Sequence, residues 1–398
     1  MKLFWRSELA RWTVWPTVPV SLIQAGGRFP ERHDGPGIVI ANYDLLKRHK
    51  ERILETAWDF LICDEAHMLS NGGAQRTKLV KKITSRFKLF ITGTPMTSRP
   101  INLFSLLSMI DPDYWGSKYQ FASLHCDLKK EFGHLCFNGA SNLELLNYRL
   151  RSTCLIRRLK SAVLKDLPAK RRQIIELPNA FKALTSRELI VHANNERVTD
   201  ELRAAVERAR LTGSEEEHRR AVADLKAGMS AGFTEMAALR KAVGLAKLPM
   251  CCEHIIETLE EVESLVIFVW HRDVGNGVYA ALRAEGISMG VISGQTGQAD
   301  RDRAVQEFQA DRLRVMLGSL GAAGVGITLT ASSHIVFVES DWVPSVISQA
   351  EDRCARIGQK FSVLAQHLVL EGSMDATMAK RCVEKQTVID AALDGGVT

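Results

Sequence analysis

The sequence predicts an α/β protein of two lobes joined by a helical, basic section. Three observations carry this. Short apolar runs bounded by turn signals occur in the first 150 residues. Similar runs return from about residue 246, and the stretch between is highly charged and reads as helix.

The runs come first. Ile38-Val39-Ile40-Ala41, Trp58-Asp59-Phe60-Leu61-Ile62-Cys63 and Leu89-Phe90-Ile91-Thr92 lie in the first region. Leu265-Val266-Ile267-Phe268-Val269, Val315-Met316-Leu317 and Ile335-Val336-Phe337-Val338 lie in the last. Short apolar runs with helical text between them suit buried parallel strands in βαβ units. The expected divisions are a first lobe at 1–150, a helical linker or insertion at 151–245 and a second lobe at 246–398.

The middle section opens on a basic cluster of Arg149, Arg151, Arg157, Arg158, Lys160, Lys165, Lys170, Arg171 and Arg172. It continues in helical text such as Glu201-Leu202-Arg203-Ala204-Ala205-Val206-Glu207-Arg208. Such text usually forms a solvated helix surface.

Bulk properties narrow the class. The chain has 398 residues, 46% apolar and 25% charged, enough for two soluble cores. No apolar run approaches the roughly 20 residues of a membrane span, and the first residues meet charge too early for a secretory signal. A formal charge of +6 fits a polyanionic partner, though many soluble proteins share it. Of the eight cysteines, Cys251 and Cys252 are adjacent, and no C-x-x-C pair offers a zinc site. Reduced thiols in a cytoplasmic compartment are the expectation.

Four segments could carry chemistry. Asp64-Glu65-Ala66-His67 directly follows an apolar run, which puts two carboxylates at the carboxyl end of a strand, where α/β sheets bind ligands. One acid could hold Mg²⁺ and the other orient or deprotonate water, as nucleotide hydrolysis needs; a solvated acidic turn is the alternative. Thr92-Gly93-Thr94-Pro95 follows another run and could sense a phosphate, or be an ordinary turn. Gly321 to Thr328 has the spacing of a phosphate loop, but Ile327 stands where the lysine is required. Its glycines still allow close backbone approach to a phosphate. Gln349 to Gln359 contains Arg353 and Arg356, three apart, which would share a face if helical. They suit phosphoryl charge, or else a surface pair bonded to Glu351 or Asp352.

Taken in order, these segments resemble the motifs of the Swi/Snf family of superfamily-two DNA translocases. Asp64-Glu65-Ala66-His67 resembles the second motif and Ile91-Thr92-Gly93-Thr94-Pro95 the third. Gly324-Val325-Gly326-Ile327-Thr328-Leu329-Thr330 is similar to the fifth. Asp341-Trp342-Val343-Pro344-Ser345 with Gln349 to Gln359 is similar to the sixth, with Ala355 where the family usually has histidine. Pro95-Met96-Thr97-Ser98-Arg99-Pro100 and the segment from Leu159 to Lys170 resemble the annealing-helicase (HARP-like) branch.

The resemblance implies two RecA-like lobes using ATP and Mg²⁺ on duplex or forked DNA. It implies that Asp64 coordinates Mg²⁺, that Glu65 activates water, and that His67, Thr92, Gly93 and Thr94 couple hydrolysis to lobe movement. It makes Arg353 and Arg356 arginine fingers, with Gln349 beside them. Gly324, Gly326 and Thr328 would form a loop touching nucleotide or DNA. Asn42 and Tyr43 would touch the DNA backbone, so binding would be salt-sensitive and largely sequence-independent.

The family's first motif, a strand followed by G-x-G-K-[ST], has no counterpart, and neither G-K-T nor G-K-S occurs in the sequence. Trp5-Arg6-Ser7-Glu8-Leu9-Ala10-Arg11-Trp12 resembles the end of the next motif, so the chain is expected to start just after the first. The phosphate cradle would then be missing, and neighbouring strands would show open edges and bare apolar faces. A separate chain carrying the loop, a longer gene product, and an inactive DNA-binding or annealing module are the three expectations. An RNA helicase is the runner-up among enzymes.

Overall fold

A computed structural model describes residues 2–12, 18–24, 26–30, 35–93, 95–96, 99–131, 134–137, 139–158, 163–164, 166–323, 326–341 and 343–378. The chain divides into two compact units. The first comprises Met1–Leu128 and Phe137–Cys154, the second Lys129–Cys136 and Leu155–Thr398. No described helix is long and apolar enough to cross a membrane.

The first unit holds two parallel strand pairs. β1 (Val20–Leu22) pairs with β2 (Ile38–Ile40), and β3 (Trp58–Cys63) with β4 (Ser85–Phe90). Side chains alternate across a strand, so β3 and β4 have two faces. One face supplies Leu61, Cys63 and Phe90 to a core with Ala66, Leu69, Val80, Leu106 and Met109. The other carries Phe60 opposite Phe87 and Ile62 opposite Leu89. The two phenyl rings stack at 5.0 Å between centroids. These four residues are 62%, 47%, 52% and 51% exposed respectively, which is unusual for a parallel pair. The reading of β3 and β4 as buried strands holds on one face; the other is a bare apolar face of the kind expected beside a missing strand, and no described element covers it.

The second unit contains an antiparallel hairpin, β5 (Lys129–Glu131) and β6 (His134–Cys136), and a six-stranded parallel sheet. Its strands are β7 (Lys170–Leu177), β8 (Leu265–Val269), β9 (Met289–Ile292), β10 (Val315–Ser319), β11 (His334–Phe337) and β12 (Val363–Leu370), in the order β7-β12-β11-β8-β10-β9. All five residues of β8 are buried because both faces are covered. Leu265, Ile267 and Val269 enter one core with the helices Leu248–Glu261 and Arg272–Ala284. Val266 and Phe268 enter the other with Phe308, Ile347 and Ala350. Burial at about 25 cal/mol per Å² of apolar area makes this two-sided layer the main stabilising feature of the unit.

Two long helices, Lys182–Thr212 and Glu215–Ala246, fill most of the charged middle section. At 1.5 Å per residue each reaches about 46 Å. Ser214 and Glu217 form a reciprocal capping box that starts the second helix. The helices approach closely at Gly228, where an added Cβ would lie 2.5 Å from Leu202 Cδ1. Not all of the section is helical. Lys170–Leu177, inside the section expected to be a helical linker, is the sheet's edge strand, in register with β12 along its full length. Its cations face solvent or an internal acid, which lets so polar a segment serve at an edge.

Candidate active site

Because β3 and β4 run parallel, their carboxyl ends share one edge. Ile91 N–H donates to the Cys63 carbonyl at 2.8 Å, and Ala66 N–H to the Ile91 carbonyl at 3.0 Å. These bonds hold Asp64 and Glu65 beside Thr92.

Asp64 is fixed from three directions. Its Oδ2 accepts the Trp5 indole N–H at 2.8 Å, and its Oδ1 accepts the Glu65 amide at 2.9 Å. Its carbonyl accepts the Tyr43 hydroxyl at 2.8 Å. Burial, with Cys63, Asp64 and Glu65 nearby, pushes the Tyr43 phenol well above its ordinary value, so it acts as a neutral donor. Burial also raises the adjoining Cys63 thiol to about 11, which leaves it unreactive.

Glu65 adopts φ 47°, ψ 47°, the left-handed region. For a residue with a side chain this costs about 1 kcal/mol or more, and such strain concentrates at functional turns. The turn aims Glu65 back at the strand ends. Its Oε2 is buried and accepts no hydrogen bond among the described residues. It lies 3.2 Å from His67 Nδ1, and the same nitrogen is 3.3 Å from Thr92 Oγ1. Glu65, His67 and Thr92 therefore form one contiguous row.

Two carboxylates at one sheet edge, one with an unsatisfied oxygen, fit a Mg²⁺ ion, which needs only one or two protein carboxylates and keeps waters. The chain's own residues do not fit a triphosphate equally well. No described group supplies a lysine-bearing phosphate loop, and Ile327 is 8% exposed, packed into the second unit's core.

In the second unit, Gln349 lies on the helix Pro344–Glu351. The expected shared helix face for Arg353 and Arg356 is corrected: the helix stops at Glu351, and both arginines lie in the turns beyond it. Gly358 at φ 102° and Gln359 impose that irregular path. The Gln359 amide donates to the carbonyls of Thr330, Ser332 and Cys354, at 3.2, 2.8 and 3.3 Å. Arg353 is held inward, with Nε on the Gln349 carbonyl at 3.0 Å and a terminal nitrogen on the Ile327 carbonyl at 3.4 Å. Arg356 is exposed. The Glu351 carboxylate is engaged by Arg172 and Lys170.

The remaining expected residues are scattered. Asn42 is exposed and precedes the short helix Tyr43–Leu45 without capping it. Gly93 is exposed, Gly326 is exposed at φ 77°, and Thr328 is half-buried. Thr94 and Gly324 lie outside the described residues. Trp5 was missed as a site residue. Its partner is 59 positions away, and no local spacing signals that bond.

Comparison with known proteins identifies the family. A model of the SNF2-related domain matches residues 1–208, and one of the helicase conserved C-terminal domain matches 246–358. The chain is 31% identical over 360 residues to a Caenorhabditis elegans SWI/SNF-related matrix-associated actin-dependent regulator of chromatin subfamily A-like protein 1 homolog, covering 88% of this chain and 47% of that protein. It is 31% identical over 386 residues to the Mus musculus DNA annealing helicase and endonuclease ZRANB3, covering 93% of this chain and 33% of the other. The chain thus spans about half or less of the length of these relatives. It is also similar to the Sulfolobus solfataricus SWI2/SNF2 ATPase core in complex with dsDNA, at 21% identity and a TM-score of 0.41, over 99% of this chain and 80% of that one. With more than half its length matched by the first model, the chain belongs to the SNF2-related domain family.

Proposed function

We propose that this chain is the hydrolytic and DNA-tracking part of an ATP-dependent DNA translocase, and that its phosphate grip comes from polypeptide beyond these 398 residues, in trans or in a longer gene product. The observation that carries the reading is the acidic turn. Asp64 is oriented by Trp5 and Glu65 amide donors, and Glu65 holds a buried, unsatisfied oxygen beside His67 and Thr92.

In this reading Asp64 holds the ion through its water shell, and Glu65 orients the attacking water and accepts its proton. Mg²⁺, when bound, supplies charge neutralisation for the phosphates. His67 passes the state of Glu65 to Thr92, with Gly93 and Thr94 completing the coupling segment. Arg356, exposed, takes the phosphate-facing role. Arg353 ties the loop containing Gly326 and Thr328 to the turn that bears Arg356. Asn42 is assigned to the DNA backbone, whereas Tyr43 is assigned to positioning Asp64.

The bare face of Phe60, Ile62, Phe87 and Leu89 supports the second half of the proposal. A strand-loop-helix unit pairing with β4 would cover that face and bring a glycine-rich loop to the edge where Asp64 stands.

Equilibrium binding to duplex, forked DNA and RNA over a salt series tests the nucleic-acid half. Similar affinity for unrelated DNA duplexes, falling steeply with salt, is expected. A preference for RNA would replace this reading with the RNA-helicase one. DNA binding that ATP leaves unchanged, with a P-loop polypeptide present, would favour an inactive annealing module.

A further inference from the structure

The carboxylate of Glu351 has no place in that chemistry, yet it is buried and held by two cations. Its side chain is 0% exposed. Arg172 grips it with two prongs, Nε at 2.6 Å from Oε1 and a terminal nitrogen at 2.8 Å from Oε2. Lys170 Nζ adds a third contact at 2.7 Å. The same Arg172 donates to Ser348 Oγ at 2.9 Å, and Lys170 also lies 3.4 Å from Asp352. Lys170 and Arg172 are two apart on β7, so they share one face of the strand.

Burial opposes the charged form of Glu351, but His367, Arg172 and Lys170 together outweigh it and hold the carboxyl well below the usual range. The arrangement also corrects a local electrostatic fault. Glu351 and Asp352 sit at the carboxyl end of the helix Pro344–Glu351, where the helix dipole disfavours negative charge. Two strand cations offset it. Buried ion pairs of this kind add little net stability over apolar packing, so their value lies in fixing geometry.

What they fix is the turn beyond the helix. The Glu351 carbonyl accepts the amides of Cys354 and Ala355, each at 3.0 Å. The side chain therefore anchors the residue from which the Arg353–Arg356 turn hangs. β7 is the first sheet strand after the chain's final passage, at Leu155, into the second unit.

We infer that Glu351 is a positioning residue: clasped by Arg172 and Lys170, it sets the register of the Arg353–Arg356 turn from β7, the first sheet strand after that passage. Its meaning for phosphoryl transfer rests on the motor reading. A slide of β7 along its axis is transmitted to Arg356 through directional, charge-assisted bonds, which apolar contact would not do.

The test is amide hydrogen exchange on the full chain, without nucleotide, for Glu351→Gln and for Arg172→Lys. The second variant keeps the charge and loses the fork, and its site is 37% exposed, so the unit keeps its fold. The expected result is exchange about tenfold faster at Cys354 and Ala355 in Glu351→Gln, with a smaller rise in Arg172→Lys and no change in β8. Unchanged exchange in both variants would overturn the proposal. So would equal acceleration throughout the unit, which would make Glu351 merely structural. In the motor completed by its phosphate loop, kcat falls in both variants at unchanged KM for ATP. Absence of turnover in every form, unsubstituted chain included, would count against the motor reading, and the exchange data would still decide the role of Glu351.

Discussion

Trp5 donates its indole N–H to Oδ2 of Asp64 at 2.8 Å, joining the helix Lys2–Trp12 to the acidic turn that follows β3. A carboxylate held by two N–H donors presents its remaining lone pairs in one direction, as an ion with an ordered water shell requires.

Trp5→Phe keeps the ring and removes that donor. In the completed motor the Mg²⁺ concentration for half-maximal turnover should rise about tenfold, the usual scale for loss of an outer-shell partner. A Mg²⁺ titration of ATP turnover checks this, and an unchanged midpoint would mean that the Glu65 amide alone orients Asp64.

The bare face of β3 and β4 should make the chain self-associate. Replacing both Phe60 and Phe87 by Thr keeps strand preference and removes the stacked rings. Light scattering against concentration should then show less association, with circular dichroism unchanged. Loss of the first unit's fold instead would show that the two rings are needed for its core.

Glu188 gives a pH dependence with a definite sign. It is 0% exposed, its Oε2 accepts the Met374 amide at 2.9 Å, and its Oε1 has no partner among the described residues. Burial raises it from 4.5 to about 7, with nearby Asp375 adding to the rise. The folded state thus binds a proton more tightly than the unfolded chain does. Its stabilising contribution is full below pH 4.5, declines as the pH rises toward 7 and is absent above. Glu188→Gln should flatten that decline and raise stability at pH 8 by up to about 3 kcal/mol. Urea unfolding of both forms at pH 5 and pH 8 measures it.

Legibility in the sequence followed the continuity of apolar runs. β8 is a continuous apolar run and β3 is broken only by Asp59, and their bounds were read residue for residue. β4 was placed late, at Leu89–Thr92, because Ser85-Arg86-Phe87-Lys88 alternates polar and apolar residues and so hides from a search for continuous runs. β7 was hidden by its opening Lys170-Arg171-Arg172, whose charges are accommodated at a sheet edge and on Glu351. Asp64, Glu65, His67 and Thr92 were legible because they follow strands directly, and strand direction brings them to one edge. Trp5 and Glu351 were not, and Tyr43 was read only as a DNA contact, since each acts through a partner far along the chain. The break in the helix after Glu351 depends on Gln359, whose side-chain hydrogen bonds to Thr330, Ser332 and Cys354 no helical periodicity reveals.

The proposed motor combines a hydrolytic turn at Asp64 and Glu65 with a phosphate grip supplied by other polypeptide. ATP turnover by the 398-residue chain, with and without duplex or forked DNA, beside a Glu65→Gln control, tests it most directly. The expected result is DNA binding without turnover for the chain alone. DNA-stimulated turnover should appear once a polypeptide bearing the glycine-lysine loop is added, and should vanish in the control. DNA-stimulated turnover by the chain alone, lost in Glu65→Gln, would contradict the claim, because another surface of this chain would then be gripping the phosphates.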